Sequence, residues 1–108
     1  MNHEYAVKEP LRSAIDEHAG PMLLEFGSLS CGHCRAAQPL LAASLAGHPK
    51  LKHLKIEDGR GRPLGRSFGV KLWPTLVFLR DGQEIARLVR PLDGNEISQA
   101  LTLIDKPE

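Results

Sequence analysis

Apolar and polar residues alternate along this chain with a period that changes several times, and each change marks an element. Residues Pro10 to Ala19 carry apolar positions at Leu11, Ala14, Ile15 and Ala19, a helical spacing that Gly20-Pro21 ends. "MLLEF", Met22 to Phe26, is a short and nearly continuous apolar run, which predicts a strand covered on both faces. Gly32 to Ala46 is rich in Ala and Leu and stops at Gly47, predicting a helix that Pro39 either kinks or divides. "LKHLKI", Leu51 to Ile56, is a further strand candidate whose spacing also admits a helix, and Pro63 to Phe68 predicts one or two helical turns before Gly69.

The later part of the chain is easier to read. "TLVFLRDGQEIARLV" is two apolar-patterned runs joined at Asp81-Gly82, the strongest hairpin signal present. Asp93 with Glu96 three residues on resembles a helix amino-terminal cap, and Ile97, Ala100, Leu101 and Ile104 give the following helix one apolar stripe. The order helix, strand, helix, strand, short helix, hairpin, helix predicts an α/β fold with a mixed sheet. Met22–Phe26 and Leu51–Ile56 would be parallel, joined by the crossover helix, and Cys31 would lie beyond the carboxyl end of the first of them.

Composition narrows the classes of function. With 108 residues the expectation is one domain, residues 1–108, long enough to bury a core. Fourteen basic residues nearly cancel thirteen acidic ones, so no whole-molecule field argues for nucleic acid or an anionic membrane, and no basic-aromatic module is present. No segment reaches the roughly 20 apolar residues of a membrane span, and "MNHEYAVKEPLRSAIDEHAG" does not read as a secretion signal, so the expected location is cytoplasmic.

Both cysteines fall in Cys31-Gly32-His33-Cys34. At a helix amino terminus the first sulfur of such a pair sits near unpaired backbone N–H groups and the positive end of the helix dipole, which favours thiolate. The second, one turn on, is more buried but close enough to form a short disulfide. This asymmetry predicts that Cys31 attacks a substrate disulfide and Cys34 attacks the resulting mixed disulfide; the same steps in reverse oxidise a dithiol. The competing metal reading needs four ligands, yet the chain offers beyond this pair only His3, His18, His33, His48 and His53, with no second paired motif.

"EFGSLSCGHCRAAQPLL" resembles the strand, C-G-x-C loop and kinked helix of the thioredoxin family, with Pro39 five residues after Cys34, and "WPTLVFLRDGQEIARLV" resembles that family's cis-proline loop and hairpin. The similarity runs in register from about Met22 to the final helix. The family's first strand is faint in "HEYAV". The resemblance implies a thioredoxin-like fold, a central mixed sheet flanked by helices, with a cis-proline loop opposite the amino terminus of the C-x-x-C helix.

It also implies roles. Cys31 and Cys34 take the nucleophile and resolving positions, and Pro74 that of the cis-proline, with Gly32, Trp73 and Thr75 lining the groove that takes substrate backbone. Glu25 occupies the place of the family's buried acid, commonly aspartate. A carboxylate in an apolar strand costs free energy when charged, which suits proton exchange with Cys34; a solvated or salt-bridged Glu25 is the alternative. His33 gives the loop of protein disulfide isomerases, where thioredoxins usually have proline. A nearby imidazolium favours thiolate and so predicts a more oxidising disulfide than that of a thioredoxin.

Other positions depart from the family. Ser30 replaces the usual tryptophan before the first cysteine, Trp73 stands where a smaller aliphatic residue is usual, Arg35 replaces a frequent lysine, and Arg90-Pro91 puts bulk where a glycine often lines the groove. Arg60, Arg62, Arg66 and Lys71 precede the proline loop and would favour acidic partners if they face the cysteines; a solvated surface is the alternative. The reading is a monomeric thiol-disulfide oxidoreductase. It acts on protein disulfides or dithiols, needs no bound cofactor, and is turned over by an external thiol reductase or oxidant. Its rivals are a binding or adaptor domain that keeps the fold without the redox activity, and a metal-binding protein.

Overall fold

The computed structural model describes residues 1–108. Its elements are α1 (Arg12–Asp16), β1 (Pro21–Gly27), α2 (Gly32–Leu45), β2 (Lys52–Glu57), α3 (Pro63–Ser67), β3 (Thr75–Arg80), β4 (Gln83–Val89) and α4 (Gly94–Ile104). The four strands form one mixed sheet in the order β2-β1-β3-β4, with β1 parallel to β2 and antiparallel to β3, and β3 antiparallel to β4. Both expected parallel strands are present and adjacent.

Strand β1 is central, and Met22 to Gly27 are all buried, as its unbroken apolar run requires. Successive side chains in a strand point to opposite faces, so β1 feeds two cores. Leu23 joins Ala37, Leu41, Phe78, Ile97 and Leu101 beneath α2 and α4. Met22, Leu24 and Phe26 join Ile15, Ile56, Leu64 and Phe68 on the other face. The odd positions of β1 therefore face α2, which fixes where Glu25 and Gly27 point.

Two expectations are corrected. The first helix covers only Arg12–Asp16 rather than Pro10–Ala19, because Ile15 alone of its apolar residues is buried; Leu11 and Ala14 are exposed, so no apolar stripe holds a longer helix on the sheet. The faint first strand reduces to one parallel bridge, Tyr5 to Lys55, with Ala6 N–H donating to the Lys55 carbonyl. Elsewhere the reading holds: α2 is one helix running through an exposed Pro39, and Asp93 caps α4 by accepting from Glu96 N–H at 3.0 Å. The hairpin turns through Asp81 (φ 50°) and Gly82 (φ 78°), the doubly left-handed pair that a tight Asp-Gly turn needs.

Candidate active site

Helix α2 begins at the cysteines because Cys31, in extended conformation, acts as its N-cap: its sulfur accepts from Cys34 N–H at 3.0 Å. The two residues form a disulfide with Cα atoms 5.2 Å apart. Their surroundings are unequal. Cys31 is partly open to solvent, and Gly32 and His33 beside it are exposed; Cys34 is only 4% exposed. Cys34 Sγ sits against β1: a Cβ on Gly27 would lie 2.7 Å from that sulfur and 2.8 Å from Tyr5 Oη. Glycine is thus required at position 27 for the second cysteine to be drawn in.

Glu25 is two residues before Gly27 and so shares its face of β1, beneath Cys34. It is buried, and both carboxylate oxygens are hydrogen-bonded. Oε1 lies 2.9 Å from His53 Nε2, and Oε2 accepts from Gln38 Nε2 at 2.8 Å. Gln38 Nε2 also donates to the Cys34 carbonyl at 3.0 Å, and its Oε1 accepts from Lys55 Nζ at 3.4 Å. Lys55 stands over the Tyr5 ring, 4.7 Å from its centroid, and Tyr5 Oη donates to the Ser28 carbonyl at 3.1 Å. Burial, followed by the negative charges of Glu25 and Glu57, pushes the Tyr5 phenol up to about 12. A cleft of about 500 Å³ between the amino-terminal arm and the start of α2 has Tyr5, Cys34, Gln38 and Lys55 in its walls.

The loop before β3 brings the other expected residues together. The Trp73–Pro74 peptide bond is cis, and Pro74 and Thr75 are buried, Thr75 Oγ1 donating to the Leu72 carbonyl at 2.6 Å. Trp73 is half-buried, and its indole N–H donates to Asp58 Oδ2 at 2.9 Å. Arg90 adopts φ 50°, the left-handed backbone where the family often has glycine. Its backbone N–H donates to the Pro74 carbonyl at 3.0 Å and its Nε to the Trp73 carbonyl at 2.8 Å. Of the basic loop, Arg62 is tied to Glu9 at 3.2 Å and to the Glu57 carbonyl, while Arg60, Arg66 and Lys71 are exposed.

Sequence reasoning missed Gly27, Gln38, His53, Lys55, Tyr5 and Asp58. Only the one-turn spacing of Cys34 and Gln38 could have signalled one of them. No group of three or more His, Cys, Asp or Glu side chains converges at the cysteines or elsewhere.

Comparison with known proteins agrees with this geometry. The family model for thioredoxin matches residues 3–103. A thioredoxin from Haemophilus influenzae is 32% identical over 81 residues, covering 72% of this chain and 74% of that protein. Protein disulfide-isomerase A2 of Pongo abelii is 40% identical over 79 residues, which span 69% of this chain and 15% of the larger protein. Among solved structures, thioredoxin 2 from Pseudomonas aeruginosa in its reduced form superposes with a TM-score of 0.84 at 54% identity, covering 95% of each chain. The chain belongs to the thioredoxin family, and its fold and cysteine pair make it a thiol-disulfide oxidoreductase.

Proposed function

We propose that residues 1–108 act as one domain that exchanges protein disulfides through a mixed disulfide, with Cys31 as nucleophile and Cys34 as resolving cysteine. The burial difference between the two sulfurs carries this assignment: an incoming disulfide meets Cys31, and Cys34 is held behind it. The Cys31 thiolate attacks a substrate sulfur, forms the mixed disulfide and expels the other substrate sulfur as thiolate. Cys34 then gives its S–H proton to Glu25, and its sulfur attacks Cys31 Sγ. The Cys31–Cys34 bond forms, the mixed disulfide breaks, and the second substrate sulfur leaves with the electron pair. His33, exposed beside Cys31, favours the thiolate when protonated.

Gly32, Trp73, Pro74 and Thr75 line the proposed substrate groove. There the Arg90 guanidinium already occupies the Trp73 carbonyl, so a substrate strand that pairs with this carbonyl displaces Arg90. The partners are protein disulfides or dithiols and an external reductase or oxidant, with the cytoplasm as the working compartment and a monomer as the working form; no helix is long and apolar enough to cross a membrane.

Trapping with Cys34→Ser tests the assignment. Covalent adducts with disulfide proteins accumulate on this variant and vanish when Cys31→Ser is added. Binding that survives Cys31→Ser would instead make the domain an adaptor.

A further inference from the structure

The contacts of His53 fix its state. Its Nδ1 faces the backbone N–H of Asn2 at 3.0 Å; a backbone N–H only donates, so Nδ1 carries no proton and accepts. The ring proton of the neutral imidazole is therefore on Nε2 and points at Glu25 Oε1, 2.9 Å away. An imidazolium would set a second N–H against Asn2 N–H. In the two clefts that flank the pair, the arm contributes the Met1 amine, His3, Glu4 and Tyr5, the turn after α1 contributes His18, β2 with the loop before it contributes Lys50, Lys52, Lys55 and Glu57, and α2 contributes Cys34, Arg35 and Gln38. Acidic and basic side chains are both present, so it is the Asn2 N–H against Nδ1, and not the surrounding charge, that fixes the tautomer.

Gln38 is oriented just as firmly. Its carbonyl oxygen accepts from Lys55, which turns its amide N–H₂ toward Glu25 Oε2 and the Cys34 carbonyl. Two fixed N–H donors thus meet the two oxygens of a carboxylate buried to 1% exposure, from a His side chain 3% exposed. Donors of this kind favour the charged carboxylate over the acid. That is the state in which Glu25 is able to take a proton from Cys34.

We propose that His53, locked by the amino-terminal arm in its Nε2-protonated neutral tautomer, is the positioning residue that keeps Glu25 ionised as the base for Cys34. This rests on the mixed-disulfide reading above. His53 touches neither substrate nor sulfur; it acts through Glu25. The arm thereby becomes part of the active site, since Asn2 also reaches the His53 carbonyl through Nδ2 at 3.5 Å.

Two measurements on the full chain test this. The first is a long-range ¹H–¹⁵N spectrum of protein labelled at histidine, at neutral pH. His53 shows a protonated Nε2 and a bare Nδ1, and Asn2→Pro, which lacks the donating N–H, mixes the tautomers. The opposite tautomer or an imidazolium in the wild type overturns the proposal. The second follows the reduced protein with an aromatic disulfide in stopped flow, where attack by Cys31 releases the first aromatic thiolate and attack by Cys34 the second. His53→Leu slows the second release about tenfold and leaves the first within about twofold, a fraction of the range a general base supplies.

His53→Gln, which keeps an N–H donor, recovers most of the rate. If His53→Leu does not fold, Asn2→Pro carries the test, with the second release slowed about threefold. Equal second-release profiles in wild type and variants overturn the proposal. Absence of both releases in the wild type would overturn the oxidoreductase reading itself, a separate result.

Discussion

The two carboxylate–imidazole pairs of this protein have nearly the same length and opposite settings. Glu25–His53 spans 2.9 Å with both side chains at 3% exposure or less, and every acceptor atom of the pair is engaged. His48–Asp105 spans 2.8 Å, but Asp105 is a quarter exposed and ends α4, where the pair fastens that helix to the turn after α2. The first is cut off from water, and its carboxylate oxygens meet fixed donors from His53 and Gln38. Water reaches the second, and it serves as a clip. A short His–carboxylate distance alone therefore says little; what distinguishes the two is the set of donors around the carboxylate.

The sharpest way to break the comparison is to remove the acid from each pair. Glu25→Gln should slow release of the second aromatic thiolate about a hundredfold, the low end of what a general base contributes, while Asp105→Asn leaves both releases unchanged. A rate loss of equal size in Asp105→Asn would erase the distinction. Next in size is Gly27→Ala. Its Cβ would meet Cys34 Sγ and Tyr5 Oη at under 3 Å, so folding stability measured by urea denaturation should fall by about 1–3 kcal/mol. The same substitution at exposed Gly32, whose Cβ finds only the Arg35 guanidinium at 3.7 Å, should cost well under that.

His33 supplies the third comparison, an exposed imidazole against the buried one. His33→Pro should move the reduction potential, titrated against glutathione, by some tens of millivolts toward the roughly −270 mV of thioredoxins, from a wild-type value between that and about −180 mV. A wild-type potential at or below the thioredoxin value would remove any role for His33. The smallest effect is spectroscopic. Tyr5 is the single tyrosine, so its ultraviolet titration is unambiguous, and its midpoint should lie at about 12 against an ordinary 10.0. Because the folded phenol holds its proton more tightly than the unfolded one, its contribution to stability is complete below pH 10 and is lost as pH rises from 10 through 12. Glu25→Gln removes one cause of the shift and should bring the midpoint back toward 10.0.

Much of this was legible from residue order. The unbroken run of Met22 to Phe26, the Asp-Gly turn and the Asp93–Glu96 cap each encode a local preference strong enough to survive folding unchanged, and the cysteine spacing at a helix start encodes the reactive pair. The short first helix was not legible, because Leu11 and Ala14 have the right spacing and no surface to pack on. His53 was not legible either. The ambiguous period of "LKHLKI" leaves open which side of the strand it faces, and its partner is 28 residues away across a parallel register.

The sequence by itself determined the α/β order, the cysteine pair at a helix start and the presence of an acid in the central strand, since these depend on neighbours within a few residues of one another. The tertiary structure alone decided that Gly27 must lack a side chain, that Gln38 and His53 hold Glu25 from two sides and that the arm sets the imidazole tautomer. Those are long-range contacts of strand against helix and arm against strand. Hydrogen-bond satisfaction in a buried site is a property of everything that meets there, and no single segment carries it.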